Sequence, residues 1–244
     1  MTNQFDKDYW DEVWAGTGEG DRAASMADNP PNPHLVREVA GLRPGTALEA
    51  GCGGGAEAIW LASQGWQVTA VDIAAEALER AALRAAGAGL GDRILWQRAD
   101  LSTWEPSARF DLVTTHYAHP SIPQLDFYAR IAEWVEPGGT LFIVGHLHRG
   151  DHGHGLGPGD PHGLDVQHAH GHDAEHAYRP GGDLHHHDAR PPAEASVTAA
   201  AISQRLDAER WEVVTAEEVS RHLRGPTGHP VTVHDVVVRV ARRG

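Results

Sequence analysis

Residues 46–57, TALEAGCGGGAE, with QVTAVD at 67–72 just beyond, decide how this chain is read. A short apolar run, Thr46 to Ala50, empties into Gly51, Gly53, Gly54 and Gly55. A helix-like stretch follows from Ala56 to Gln64. A strand that feeds a glycine turn and then a helix N-terminus makes a concave site with inward-pointing N–H groups. Glycine lets the backbone turn sharply and lets a ligand approach with no Cβ in the way. Asp72 comes 17 residues after Gly55, at the tip of the next expected strand. A carboxylate there can accept hydrogen bonds from both hydroxyls of a ribose. The order of strand, turn, helix, strand and acid therefore points to a nucleoside-bearing cofactor across the ends of two parallel strands. The alternative is a tight structural turn beside a solvated Asp.

Outward from that stretch, strands and helices alternate. Strands are expected at 46–50, 67–72, 93–97, 109–115, 139–145, 210–215 and 232–240, and helices at 56–64, 74–87, 123–135 and 197–208. Such alternation builds βαβ units, hence an α/β fold with a mostly parallel sheet covered on both faces. The last two strands lack a crossover helix between them, apart from a turn expected around 216–223, so the final strand should run antiparallel. Upstream, Phe5, Tyr9, Trp10, Val13 and Trp14 fall at helical spacing, 15–33 reads as a loop, and His34 to Gly41 as a short helix entered after Pro33.

The 244 residues, 41% hydrophobic and 22% charged, suit a single domain over 1–244, with 1–33 as an N-terminal helix and loop. A net charge of −14 argues against nucleic acid as a partner, because phosphate binding needs a basic face. Cys52 is the one cysteine, so no intrachain disulfide can form. No apolar run approaches the ~18 residues of a membrane span, and MTNQFDKDYW does not read as a secretory signal; the expected compartment is the cytoplasm.

EAGCGGGAEAIWLASQGWQVTAVDIAAEALERA resembles the nucleotide-binding half of class I S-adenosylmethionine-dependent methyltransferases. RADLSTWEPSARFDLVTTHYAHP and EPGGTLFIVGH are similar to that family's later motifs, and YWDEVW and VTVHDVVVRVARR also fit. The resemblance covers 5–145 and 195–243 and is nearest to the tellurite-resistance and thiopurine methyltransferase-like branch. It implies a Rossmann-like, doubly wound, seven-stranded sheet and S-adenosylmethionine as cofactor. Residue by residue, it implies that Glu49, where the family usually has Asp, organises the glycine loop or meets the cofactor's amino group. Gly51, Gly53 and Gly55 would lie under the methionine part, with Cys52 between them as a small packing group. Asp72 would hold the ribose, Ile73 would pack on the adenine, and Asp100, next to Leu101, would accept from the adenine amino group. Thr115 and His116 would stand where the methionine end meets the acceptor.

Methyl transfer from a sulfonium is an in-line displacement, and the cofactor arrives activated. The protein then supplies alignment and water exclusion, and positioning can be worth ~7–11 kcal/mol of barrier. Within HYAHP, residues 116–120, His116, Tyr117 and His119 are the candidates to orient an acceptor or take a proton, or else to pack the cofactor and brace the loop. Trp10 and Trp14 belong either to a lid over the cofactor or to the core face of an amphipathic helix. Trp60 reads as core.

From 145 to 192 periodicity vanishes, and 12 of the 18 histidines lie between His146 and His187. This stretch reads as a mobile insertion. His146, His148, His152, His154, His168, His170, His172, His176, His185, His186 and His187 are candidate ligands for zinc or nickel, because neutral imidazole suits such divalent metals. A pH-sensing role or a plain solvated insertion are the other readings. Three functions remain on these grounds. They are a methyltransferase acting on a small soft nucleophile such as a thiol or metalloid, a non-catalytic metal-binding or metal-sensing protein on the same fold, and a nicotinamide-dependent oxidoreductase.

Overall fold

A computed structural model describes residues 7–15, 30–147, 197–224 and 230–244. The histidines expected to bind metal therefore lie outside the described residues, except His146. Helix α1 spans Lys7–Ala15 and α2 spans Pro33–Val39. Then come β1 Thr46–Ala50, α3 Ala56–Ser63, β2 Gln67–Asp72, α4 Ala75–Gly87 and β3 Ile94–Arg98. They are followed by β4 Phe110–His116, α5 Gln124–Ala132, β5 Val135–His146, α6 Ala199–Arg205, β6 Trp211–Arg224 and β7 Pro230–Arg242.

The strands form one seven-stranded sheet in the order β3-β2-β1-β4-β5-β7-β6. Pairings from β3 through β5 are parallel, and β7 runs antiparallel to both β5 and β6. This is the expected α/β architecture with its reversed last strand. Chain direction along the sheet reverses between β1 and β4, and that switch opens a crevice at the carboxyl ends of the strands.

Alternate residues of the central strands feed two cores. On one face Leu48, Val113, Leu141 and Ile143 pack with Phe127 and Ile131 of α5 and Ile202 of α6. On the other, Ala47, Val68, Leu112, Phe142 and Val144 pack with Leu35 of α2, Leu61 of α3 and Leu78 of α4. Each of these side chains larger than alanine, taken from water, contributes about 1.5–3 kcal/mol. Burial on both faces is why these strands read as continuous apolar runs.

Two elements differ from the sequence reading. Strand β5 starts at Val135, before the Pro137-Gly138-Gly139 run, and pairs with β4 through an irregular register between Phe110 and Leu112. Strand β6 continues to Arg224 through the stretch read as a turn around 216–223. Past the pair Asp235↔His146 at the end of β5, β6 and β7 continue to Arg224↔Pro230 as a two-stranded ribbon. At about 3.4 Å per residue, the ribbon rises roughly 15 Å beyond the carboxyl edge of the parallel strands. The β6 side of the ribbon, VSRHLR, is mostly polar and gave no apolar run to read, whereas part of the β7 side fell within the expected strand 232–240.

Candidate functional site

The glycine loop leaves β1 in left-handed backbone conformations. Gly51 has φ +80° and Gly55 has φ +77°, a region other residues rarely adopt. A Cβ at Gly51 would collide with that of Ala118, and one at Gly55 would sit 2.7 Å from the Trp96 ring and 2.8 Å from Ala81. Space as well as conformation thus demands glycine at both positions.

The loop's N–H groups are arranged differently from the sequence expectation. Gly51 and Cys52 both donate to the Val71 carbonyl, at 2.9 and 3.0 Å, and Gly53 donates to Asp72 Oδ2 at 2.7 Å. These three donors face β2 rather than the crevice. Asp72 Oδ1 accepts from Ala74 N at 3.0 Å. The carboxylate therefore clamps the glycine loop to the start of α4. Burial pushes its pKa up, against the pull of the backbone donors.

Above the loop lies a cavity of about 620 Å³. Gly51, Cys52, Gly53, Gly55, Asp72, Ile73, Asp100, Leu101 and His116 line it, with Trp10 and Trp14 from α1. Trp14 is 2% exposed, packs on Ala74 and Ala77, and lies over Gly53. It is thus core anchor and cavity wall at once. Asp100 Oδ1 accepts from Ser102 N at 2.8 Å, fixing the carboxylate at the end of β3. Burial, helped by the nearby Asp72 carboxylate, pushes the Cys52 thiol well above its usual pKa, so it packs as a neutral group.

One expected contact is corrected. Thr115 is fully buried, and its hydroxyl donates to the Ala50 carbonyl at 2.8 Å; it ties β4 to β1 and is not on the cavity wall. Glu49 is also buried beneath the wall, where Oε1 lies 2.9 Å from His116 Nδ1. Glu49 Oε2 and His116 Nε2 have no hydrogen-bond partner among the described residues. Burial pulls the His116 pKa down, but the Glu49 carboxylate, with Glu57 behind it, more than reverses this and raises it.

Glu57 was missed by the sequence reading, although it follows the glycines directly in GGGAE. It lies in the first turn of α3, lines the cavity and accepts from Asn32 N at 3.0 Å. One donor atom from each of Glu49, Glu57 and His116 falls within 4.8 Å of the other two. Two carboxylates and an imidazole at this spacing suit a cation, whether a metal ion or an ammonium group.

The loop after β4 carries the remaining candidates. Tyr117 is a non-glycine residue at φ 55°, a strained position that reaiming a side chain would require. Its ring stacks on His146 at 4.4 Å, and His146 stacks on His119 at 5.4 Å. His119 lines the cavity, and its Nδ1 is 3.4 Å from Gln124 Oε1. Burial lowers its pKa, so the imidazole is neutral near pH 7. In the tautomer that donates from Nδ1 to the amide oxygen, Nε2 is the basic nitrogen.

The Tyr117 hydroxyl turns away from that stack into a buried polar cluster. It donates to Asp235 Oδ1 at 2.8 Å and accepts from Arg221 Nη2 at 2.7 Å and Asn32 Nδ2 at 3.3 Å. Asp235 Oδ2 faces His34 Nε2 at 3.1 Å and accepts from Arg221 Nε. The cluster joins α2, β4, β6 and β7. The sequence offered one signal for it, an acid inside the apolar run of VHDVVVRV.

Residues 47–139 match the family model described as a methyltransferase domain. Over 140 residues the chain is 30% identical to a probable thiol methyltransferase 2 of Arabidopsis thaliana, covering 55% of this chain and 60% of that one. It is 31% identical over 111 residues to a ubiquinone biosynthesis O-methyltransferase of Serratia proteamaculans, covering 45% and 46%. The chain thus spans about half the length of these curated relatives. Among solved structures, the magnesium protoporphyrin IX methyltransferase of Synechocystis with bound S-adenosylhomocysteine is similar in fold. Its TM-score is 0.59 at 17% identity, covering 98% of this chain and all of that one. The N-methyltransferase NodS of Bradyrhizobium japonicum has a TM-score of 0.56 at 13% identity, covering 98% of both chains. Residues 47–139 thus match a methyltransferase domain, and the sheet order places them in a fold shared with solved methyltransferases.

Proposed function

We propose that the chain transfers the methyl group of S-adenosylmethionine to a small soft nucleophile, a thiol or a metalloid anion. The observation that carries this is the cavity at the β1/β4 switch, with Asp72 and Asp100 at its β2 and β3 side and Glu57 and His116 on its wall in front of buried Glu49. The residues fit the cofactor on two counts. Gly51, Gly53 and Gly55 line the cavity without side chains, so a ligand can approach their backbone closely. The unpartnered buried atoms of Glu49 and His116 suit a ligand that brings its own hydrogen bonds.

When bound, the cofactor supplies an activated methyl on sulfur. Asp72 would take the ribose, Asp100 the adenine amino group, and Ile73 and Leu101 the adenine faces. Glu57, with Glu49 and His116, would hold the ammonium end. Trp10 and Trp14 exclude water from the loop side. His119, neutral at pH 7, would accept the proton of a protonated acceptor at Nε2, while Tyr117 and His146 hold its ring by stacking. For an acceptor already anionic, no base is needed, and alignment alone lowers the barrier. The thiol methyltransferase of Arabidopsis and a thiocyanate methyltransferase of Brassica oleracea, 32% identical over 114 residues, support a soft acceptor.

Calorimetry of the purified chain with S-adenosylhomocysteine tests the cofactor assignment. Saturable one-to-one binding is expected, and none by a folded sample refutes it. The histidine-rich stretch is proposed as an accessory sink for divalent zinc or nickel, on composition. Removing residues 150–190 should abolish most nickel binding in a titration and leave S-adenosylhomocysteine binding intact. Equal nickel binding with and without the stretch would end that part. Among the described residues no helix is long and apolar enough to cross a membrane.

A further inference from the structure

The charged groups on the cavity wall are unevenly placed. Glu57, Asp72 and Asp100 come from the ends of the β1–β3 half of the sheet. Arg221, the one Arg or Lys among the described lining residues, comes from β6 at the opposite edge of the sheet order. It reaches the cavity because the β6–β7 ribbon climbs past the end of β5, which places Arg221 two residues beyond the Val219↔Asp235 pair.

Its partners hold it from one side. Nε donates to Asp235 and Nη2 to the Tyr117 hydroxyl. Nη1 has no hydrogen-bond partner among the described residues. The Asp235 side chain is fully buried, whereas that of Arg221 is 24% exposed. The negative member of the pair thus lies behind, and the cavity meets the positive head. Asn32, which donates to the same Tyr117 hydroxyl, stands beside it on the wall. An arginine needed only for the ion pair could be buried with Asp235, whereas Arg221 also lines the cavity. A guanidinium with donors left over, fixed by a buried carboxylate, is built to take an anion.

The geometry points to Arg221 as a specificity-determining residue that receives a negative charge on the methyl acceptor, so that the preferred acceptors are small anions. This deepens the methyltransferase reading and rests on it. The adenosine end is accounted for by Asp72 and Asp100, at the other side of the sheet. The one anion the cofactor itself brings is its methionine carboxylate, and the experiment below separates that occupant from the acceptor.

The test uses the full chain saturated with S-adenosylhomocysteine and titrated by calorimetry with mercaptoacetate or 2-mercaptoethanol. These are two thiols of similar size, one of which carries an extra carboxylate. Mercaptoacetate should bind the wild-type complex at least tenfold more tightly. Arg221→Gln should reduce that preference roughly tenfold to hundredfold, the range for a charge-assisted hydrogen bond. Because Arg221→Gln leaves Asp235 buried without its cation, the double variant Arg221→Gln/Asp235→Asn is measured alongside. It removes both charges together and should show the same loss of preference. Equal binding of the two thiols by wild type overturns the proposal, as does a preference that survives in the double variant. A loss of S-adenosylhomocysteine affinity in Arg221→Gln also overturns it, because the anion is then the cofactor's own carboxylate. Failure of wild type to bind S-adenosylhomocysteine at all is a separate result and defeats the methyltransferase reading itself.

Discussion

Asp235→Ala should lower the melting temperature of the chain by roughly 10 °C. The carboxylate is fully buried and serves three groups at once. It accepts from Arg221 Nε and the Tyr117 hydroxyl and faces His34 Nε2. Alanine leaves a partly exposed guanidinium and a phenol without their acceptor, so the loss falls at the lower end of the range for a broken pair. Breaking a buried pair from one side costs about 3–5 kcal/mol. For a chain of this size each kcal/mol moves the midpoint by about 2–4 °C. The Asp235→Asn variant keeps the shape and one acceptor oxygen, so its loss should be smaller. The Arg221→Gln/Asp235→Asn pair, which removes both charges, should be smaller than the sum of the singles. Thermal unfolding followed by circular dichroism measures wild type and the four variants, Arg221→Gln alone included. A midpoint for Asp235→Ala within 2 °C of wild type would show that the cluster is not what ties α2 and the ribbon to β4.

That cluster also shows where the sequence stopped being informative. The parallel half of the sheet was legible because its strands are buried on both faces and so read as apolar runs between helical periods. Asp72 and Asp100 were legible because each ends such a run. Thr115 was misplaced for a related reason. A strand alternates its side chains between faces, and residue type alone does not say which face of β4 meets the crevice. His116 lines the cavity, while Thr115 spends its hydroxyl on Ala50. Glu49 was placed with the cofactor or the loop because it precedes the glycines, but nothing local announced its partner His116, 67 residues away. Contacts of that separation leave no local pattern. Arg221, Asn32 and Asp235 are harder still. They meet only because an edge ribbon with an ordinary polar sequence extends past the sheet.

The second large effect is expected at Asp72, and the choice of substitution matters. A change of Asp to Asn is often mild, because one oxygen remains and the volume is kept. Here both carboxylate oxygens accept from backbone N–H groups, Oδ2 from Gly53 at 2.7 Å and Oδ1 from Ala74 at 3.0 Å. Either orientation of an asparagine amide puts an NH₂ group against an N–H donor. Asp72→Asn should therefore weaken S-adenosylhomocysteine binding about as much as Asp72→Ala. Hydrogen bonds to charged groups contribute about 1.5–3 kcal/mol each. Losing two ribose contacts then corresponds to at least a hundredfold in affinity, before any slackening of the loop is counted. The same carboxylate sets a pH dependence. Burial raises its pKa, so it takes up a proton at a higher pH than an exposed Asp. The protonated form has lost its charge, and one oxygen now donates. Wild-type affinity should consequently fall as pH drops, starting above the ordinary carboxylate range, and the two variants should be flat over the same interval. Calorimetry at a series of pH values reads both effects. An Asp72→Asn protein that binds within threefold of wild type would show that the carboxylate braces the loop without holding the nucleoside.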